Sequence, residues 1–125
     1  MTSEDSTQAS RATRLASEVL YSGLDDWVAL LWIEGWARRA GAEPGDETKT
    51  PVLGVLEQLV VAGLIELGEV SPSGYSRWDE PLAVSLARID HAWSTTDPYQ
   101  YGFMCWTRNT PEGNARAMQE AGLRR

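Results

Sequence analysis

The stretch at residues 50–70, TPVLGVLEQLVVAGLIELGEV, restricts the fold more than any other part of the chain. Thr50 suits a helix N-cap, whose side-chain oxygen satisfies a free N–H of the first turn. Pro51 suits the first helical position, where a missing N–H is no loss. Leu53, Leu56 and Val60 recur at three- and four-residue spacing with Val52, Val55 and Leu59 beside them, which predicts a helix with a wide apolar face to bury. Gly63 can take the left-handed conformation that ends such a helix, and Leu64 can fold back on the last turn. Ile65 and Leu67 then alternate with Glu66, in the period of a half-buried strand. Helix, glycine stop and strand form a spine on which the remaining segments have to pack.

Ahead of that spine, residues 1–7 are polar and predict a disordered, solvated tail. Ala12, Leu15, Ala16, Val19 and Leu20 repeat at helical spacing, so a first helix is expected over 8–21, ended by Ser22 and Gly23. Asp25 and Asp26 open a second, DDWVALLWIEGWARR, which Gly41 closes. Val28, Leu31, Trp32, Gly35 and Trp36 lie along one face of it, and Trp27, Leu30 and Ile33 widen that face, which predicts a central helix buried on most sides. Gly35 costs about 1 kcal/mol relative to Ala within a helix, so a close helix crossing is expected there. Residues 41–49 read as a polar loop.

Beyond the spine, SPSG at 71–74 has the residues of a tight turn, and residues 75–78 predict a returning strand. Asp79, Glu80 and Pro81 announce a helix carrying Leu82, Leu86, Ile89 and Trp93 on one face, which Asp97-Pro98 breaks. The segment 101–107, YGFMCWT, reads as a strand with Phe103 and Cys105 on one side and Met104 and Trp106 on the other. Thr110-Pro111-Glu112 starts the last helix and Gly122 ends it. The expected fold is α+β and helix-rich, one globular domain over 8–125 with a small antiparallel sheet of two or three strands.

Composition supports that size of fold and narrows the function. At 125 residues and 42% hydrophobic content, a single domain buries about two-thirds of the surface of its unfolded chain and needs no disulfide or metal to hold it. The lone Cys105 excludes an internal disulfide and matches a reducing compartment. The opening MTSEDSTQAS has neither the apolar core nor the basic start of an export signal, and the apolar run at 27–33 is too short to span a membrane. A cytoplasmic location with no membrane contact is therefore expected. The net charge is −7, with 11 basic against 18 acidic residues, whereas a phosphate backbone calls for clustered cations. Charge thus disfavours nucleic acid and favours another protein, of basic surface, as partner. Lys49 is the only lysine and every other basic residue is Arg, a bias that a GC-rich coding sequence would produce.

The residue types that carry chemistry are few. The pairs Asp25-Asp26, Asp46-Glu47 and Asp79-Glu80 could do acid–base work if their environments separated their pKa values. Each stands at a predicted helix start, however, where a carboxylate caps N–H groups and meets the positive end of the helix dipole. Arg38-Arg39 stands in the complementary place near a helix C-terminus. His91 and Cys105 are single copies; Asp90, adjacent on a helix, points about 100° away from His91 and is badly placed to orient it. A Cys among Phe103, Met104 and Trp106 reads as a small core hydrophobe, and one His with one Cys does not fill a zinc shell. No phosphate-binding glycine loop or nucleophile elbow is present. No catalytic residue, metal site or cofactor is expected.

Six tryptophans remain. Trp32, Trp36, Trp93 and Trp106 are assigned to the core. Tyr75, Trp78, Tyr99 and Tyr101 are the candidate protein-binding face, with Tyr75 and Trp78, beside the turn, the most exposed.

Two segments carry a family resemblance. LEQLVVAGLIELG (56–68) resembles the recognition helix and following strand of winged-helix domains, and FMCWTRNTPEGNARA (103–117) resembles the returning strand and closing helix of the same class. The resemblance implies that the helix at 51–62 would enter a DNA major groove and that the turn at 71–74 would be a wing tip. Lys49, Gln58 and Arg77 would then be the DNA-contacting residues. The chain departs from the family in holding an extra helix, at 80–93, between the wing strands, and in offering Glu57 and Gln58 but no Arg on the reading helix. In general style the chain also resembles small acidic proteins of high-GC bacteria, a likeness that carries no site. The function expected is a non-catalytic protein-binding module, such as an acidic inhibitor or immunity-type protein; the alternative is a winged-helix transcriptional regulator.

Overall fold

In the computed structural model, which describes residues 3–40 and 47–123, the spine forms as helix α3 (Lys49–Val61) and strand β2 (Ile65–Ser71). Gly63 takes a left-handed φ of 76°. The Leu64 N–H donates to the Leu59 carbonyl at 2.9 Å and the Gly63 N–H to the Val60 carbonyl at 3.0 Å, a doubled bond that closes the helix end. Leu59 and Leu64 are both buried, as that motif requires. The other end differs from expectation. The helix starts at Lys49, Thr48 takes the cap position without a side-chain bond, and Thr50 and Pro51 lie inside the first turn. The Glu47 carboxylate instead accepts the Thr50 N–H at 2.8 Å, because a charged acceptor suits the positive helix end better than a hydroxyl.

Around the spine the chain runs α1 (Ser3–Ser22), β1 (Val28–Ala29), α2 (Leu30–Ala40), then α3 and β2, β3 (Gly74–Arg77), α4 (Leu82–Thr95), α5 (Pro98–Tyr101), β4 (Trp106–Asn109) and α6 (Pro111–Leu123). The fold is α+β and helix-rich, with one antiparallel sheet of four strands in the order β1-β4-β2-β3. In the register, Leu67 faces Thr107 and Thr107 faces Val28, while Gly68 faces Trp106 and Trp106 faces Ala29. Because side chains alternate along a strand, Ile65, Leu67, Thr107, Asn109 and Val28 share the inner face. There the core is completed by Val19 and Leu20 of α1, Leu30 and Ile33 of α2, Val52, Val55, Leu56 and Leu59 of α3, and Ile89 of α4. Glu66, Gly68, Val70, Trp106, Arg108, Tyr75 and Arg77 share the outer face.

Several expectations are corrected by pairing between distant segments. Helix α1 runs over Ser3–Ser22, a longer span than the 8–21 expected from the apolar spacing. Val28 and Ala29, expected to be helical, pair with β4, and α2 starts only at Leu30. The free N–H groups of Leu30 and Leu31 donate to the Cys105 and Gly102 carbonyls at 2.9 and 2.8 Å, so Asp25 and Asp26 do not cap this helix. The buried residues of α2 are Leu30, Ile33 and Glu34, and Trp32, expected in the core, is 58% exposed; a side chain at Gly35 would meet open space, so no close crossing occurs there. The segment expected as a strand from 101 is a turn of helix followed by a shorter strand from Trp106. Asp97 accepts the Gln100 N–H at 3.0 Å with Pro98 behind it, which holds Tyr101 in α5. Gly122 lies inside α6, which ends at Leu123. The loop residues 41–46, including Gly41 and Asp46, lie outside the described residues.

Other local readings match. The 71–74 turn closes the β2–β3 hairpin, with Gly74 at φ 114°. Leu82, Leu86 and Trp93 pack against the core beside Ile89 on α4. Thr110 caps α6, its Oγ1 accepting the Gly113 N–H at 3.0 Å and donating to the Gly63 carbonyl at 2.6 Å. That last bond ties the closing helix to the glycine stop.

Candidate interaction site on the outer sheet face

The four aromatic residues expected to form one face are distributed among different environments. Trp78 is 8% exposed, a correction: its N–H donates to the Leu67 carbonyl at 2.9 Å, continuing the β3 ladder and carrying the side chain to the inner side. There its Nε1 lies 3.3 Å from Glu69 Oε1 and the Arg88 guanidinium sits 4.2 Å from its ring centroid. Tyr101 is 5% exposed, stacked on Trp93 at 4.8 Å and facing Glu34. Tyr99, on the same short helix, is 81% exposed. Only Tyr75 joins a wider aromatic surface.

That surface is built on the outer side of the sheet. Gly68 has no side chain, and the Tyr75 ring lies where a Cβ would be. Trp106 is the cross-strand partner of Gly68 on the other side, and its Nε1 donates to the Phe103 carbonyl at 3.1 Å. Phe103 lies against the Trp106 ring at 6.1 Å, and Trp27, arriving from the β1 edge, meets Tyr75 at 5.8 Å. Trp27 is 37% and Phe103 46% exposed, while Tyr75 and Trp106 are half-buried. The Arg108 guanidinium sits 4.5 Å from the Tyr75 centroid and pairs with Glu66 at 2.5 Å.

Burial, reinforced by the Glu66 carboxylate, pushes the Tyr75 phenol well above its usual value, and its hydroxyl is buried without a hydrogen bond. Burial and the Glu34 carboxylate do the same to Tyr101. Burial pushes the Cys105 thiol up to about 12, so it is protonated at neutral pH, and His91 lies on the exposed side of α4. Among the described residues no three His, Cys, Asp or Glu are grouped to hold a metal ion, and no helix is long and apolar enough to cross a membrane.

The acidic pairs and the DNA candidates fall elsewhere. Asp26 accepts the N–H of Trp27 at 2.8 Å, and Glu80 accepts from Ser85 Oγ at 2.7 Å and pairs with Arg88. Lys49 is held on α4 by Asp90 at 2.7 Å and Ser94 at 3.2 Å. Gln58 is exposed on α3, in a stripe with Thr50, Gly54, Glu57 and Val61 that carries no cation. Arg77 stands on the outer sheet face, 3.8 Å from Asp79.

Trp27, Phe103 and Trp106 were not among the sequence candidates. The alternation Trp106-Thr107-Arg108 was a usable signal, since it sets a Trp and an Arg on one side of a strand; Trp27 had none, because only the pairing of Val28 and Ala29 with β4 shows that a strand follows it. No family model matches the chain, and no curated protein or solved structure matches it significantly.

Proposed function

We propose that this chain is a non-catalytic protein-binding module that docks its partner on the outer face of the sheet. The Trp27–Tyr75 contact carries the reading: two large rings from opposite edges of the sheet meet on its outer face, Trp27 exposed and Tyr75 half-buried. Trp, Tyr and Arg are the residues whose truncation most often removes binding energy at interfaces, and Trp27, Trp106, Tyr75 and Arg108 form one cluster here. The net charge of −7 favours a partner of basic surface, as in an acidic inhibitor or immunity-type protein, and the unpaired Cys105 supports a cytoplasmic setting. Affinity capture from the source cell with wild type and with the Trp27→Ala/Phe103→Ala variant tests this. The expected result is a protein retained by wild type and lost with the variant. Equal capture by both would refute the assignment of this face.

A second reading, a winged-helix DNA-binding regulator, is supported by one observation: β4 returns between β1 and β2, after α2, α3 and β2 in succession. Against it stand the engagement of Lys49 by Asp90 and the cation-free stripe on α3. Duplex DNA binding that falls steeply with salt and weakens on Lys49→Ala and Arg77→Ala would establish this reading in place of the first.

A further inference from the structure

We infer that the Trp27 corner of the outer face receives an arginine side chain of the partner, which rests on the protein-binding reading and specifies the partner's chemistry. The domain twice holds one of its own guanidinium groups with a ring face and a carboxylate. Arg88 lies on Trp78 and pairs with Glu80, and Arg108 lies on Tyr75 and pairs with Glu66. Trp27 repeats this combination without the cation. Its sequence neighbours Asp25 and Asp26 are exposed, Asp26 Oδ1 accepts the Trp27 backbone N–H at 2.8 Å, and among the described residues no Arg or Lys pairs with either carboxylate.

The chemistry selects a guanidinium. The negative face of an indole attracts a cation, and a planar, weakly hydrated guanidinium can lie flat on the ring while its N–H groups reach a carboxylate. Charge across the face agrees. Asp25, Asp26, Glu66 and Asp79 surround it against Arg77 and Arg108, four carboxylates to two guanidinium groups, in a chain of net charge −7. A phosphate backbone on the same aromatic surface would meet that acidic surplus, so a basic protein segment is the better occupant.

The test uses a short fluorescein-labelled peptide of alternating Arg and Thr, the same peptide with citrulline for Arg, and an oligothymidylate of matching length. Binding is read by anisotropy and by the Trp27 indole signal in NMR spectra. The Arg peptide is expected to bind and to shift that signal, with citrulline weakening binding about tenfold. Trp27→Ala and the Asp25→Asn/Asp26→Asn double variant should each weaken it about threefold to tenfold, while Met118→Ala, on the exposed side of α6, changes nothing. Asparagine keeps an acceptor for the Trp27 N–H, so the double variant removes charge without disturbing the fold. Equal binding of the citrulline peptide, or no effect of the double variant, overturns the arginine inference. The docking reading survives that result if Trp27→Ala/Phe103→Ala still abolishes partner capture, and falls if capture is unchanged. Tighter binding of oligothymidylate than of the Arg peptide overturns both.

Discussion

Replacing Gly68 with alanine tests how the outer face is built. A methyl group at Gly68 would stand 2.7 Å from the Tyr75 ring and would overlap the Ser76 carbonyl oxygen on β3. Expelling Tyr75 relieves the contact with the ring, while the overlap with the backbone oxygen is relieved only by spreading the hairpin at the expense of the β2–β3 ladder. Tyr75 is half-buried. A tyrosine buries on the order of 200 Å² when fully covered, so expulsion exposes about 100 Å². At about 25 cal/mol per Å² that is about 2.5 kcal/mol. Alanine recovers about 0.5–1 kcal/mol through a less flexible unfolded chain. The net loss is about 2 kcal/mol before any ladder strain, a fall in Tm of about 6–12 °C for a domain of this size. Urea unfolding of Gly68→Ala, Tyr75→Ala and the double variant gives the assay. If the ring occupies the glycine's space, the double variant loses about 1–2 kcal/mol less than the sum of the singles. A neutral or stabilising Gly68→Ala, or strict additivity, would refute the packing described here.

Three further outcomes are expected. Cys105 has a folded pKa of about 12 against an ordinary 9.0, so its contribution is intact below pH 9 and is lost as pH rises from 9 to 12, at up to about 1.4 kcal/mol per unit. The raised phenols of Tyr75 and Tyr101 add loss above pH 10, and urea midpoints measured from pH 7 to 11 should fall less steeply in Cys105→Ala than in wild type. Asn109→Ala removes the buried Nδ2 donor that meets the Leu20 carbonyl at 2.8 Å and should cost about 1–3 kcal/mol by chemical denaturation, with α1 amides exchanging faster. Thr110→Val removes both the acceptor for the Gly113 N–H and the donor to the Gly63 carbonyl. It should cost about 1–2 kcal/mol, seen as earlier hydrogen exchange at the start of α6.

The candidate site was only partly legible in the sequence. Tyr75 follows from the turn at 71–74 and the strand after it, both set by residues close together in the chain. Trp78 follows the same strand by one step, yet its ladder bond to Leu67 and the pairing of Arg88 with Glu80 draw it inward. Tyr99 and Tyr101 differ in exposure because Asp97-Pro98 winds them into one helical turn, on which one ring faces solvent and the other faces Trp93. Trp27 depends wholly on a two-residue strand pairing with residues nearly at the other end of the chain.

By itself the sequence determined the elements whose hydrogen bonds close within a few residues. These are the apolar helix α3, its left-handed stop at Gly63, the strand after it, the glycine-bearing hairpin turn, the amphipathic α4, and the Thr110-Pro111 start of α6. Each is a local bargain between side-chain chemistry and neighbouring backbone groups, so composition and spacing express it directly. Only the tertiary structure decided where α2 begins, which of its faces is buried, and which aromatic rings stand on the outer sheet. Those outcomes turn on β1 meeting β4 and on the Gly102 and Cys105 carbonyls receiving the first N–H groups of α2. In a sheet, a shift of one residue exchanges the inner and outer faces, so a distant pairing, and not local preference, sets what the surface presents.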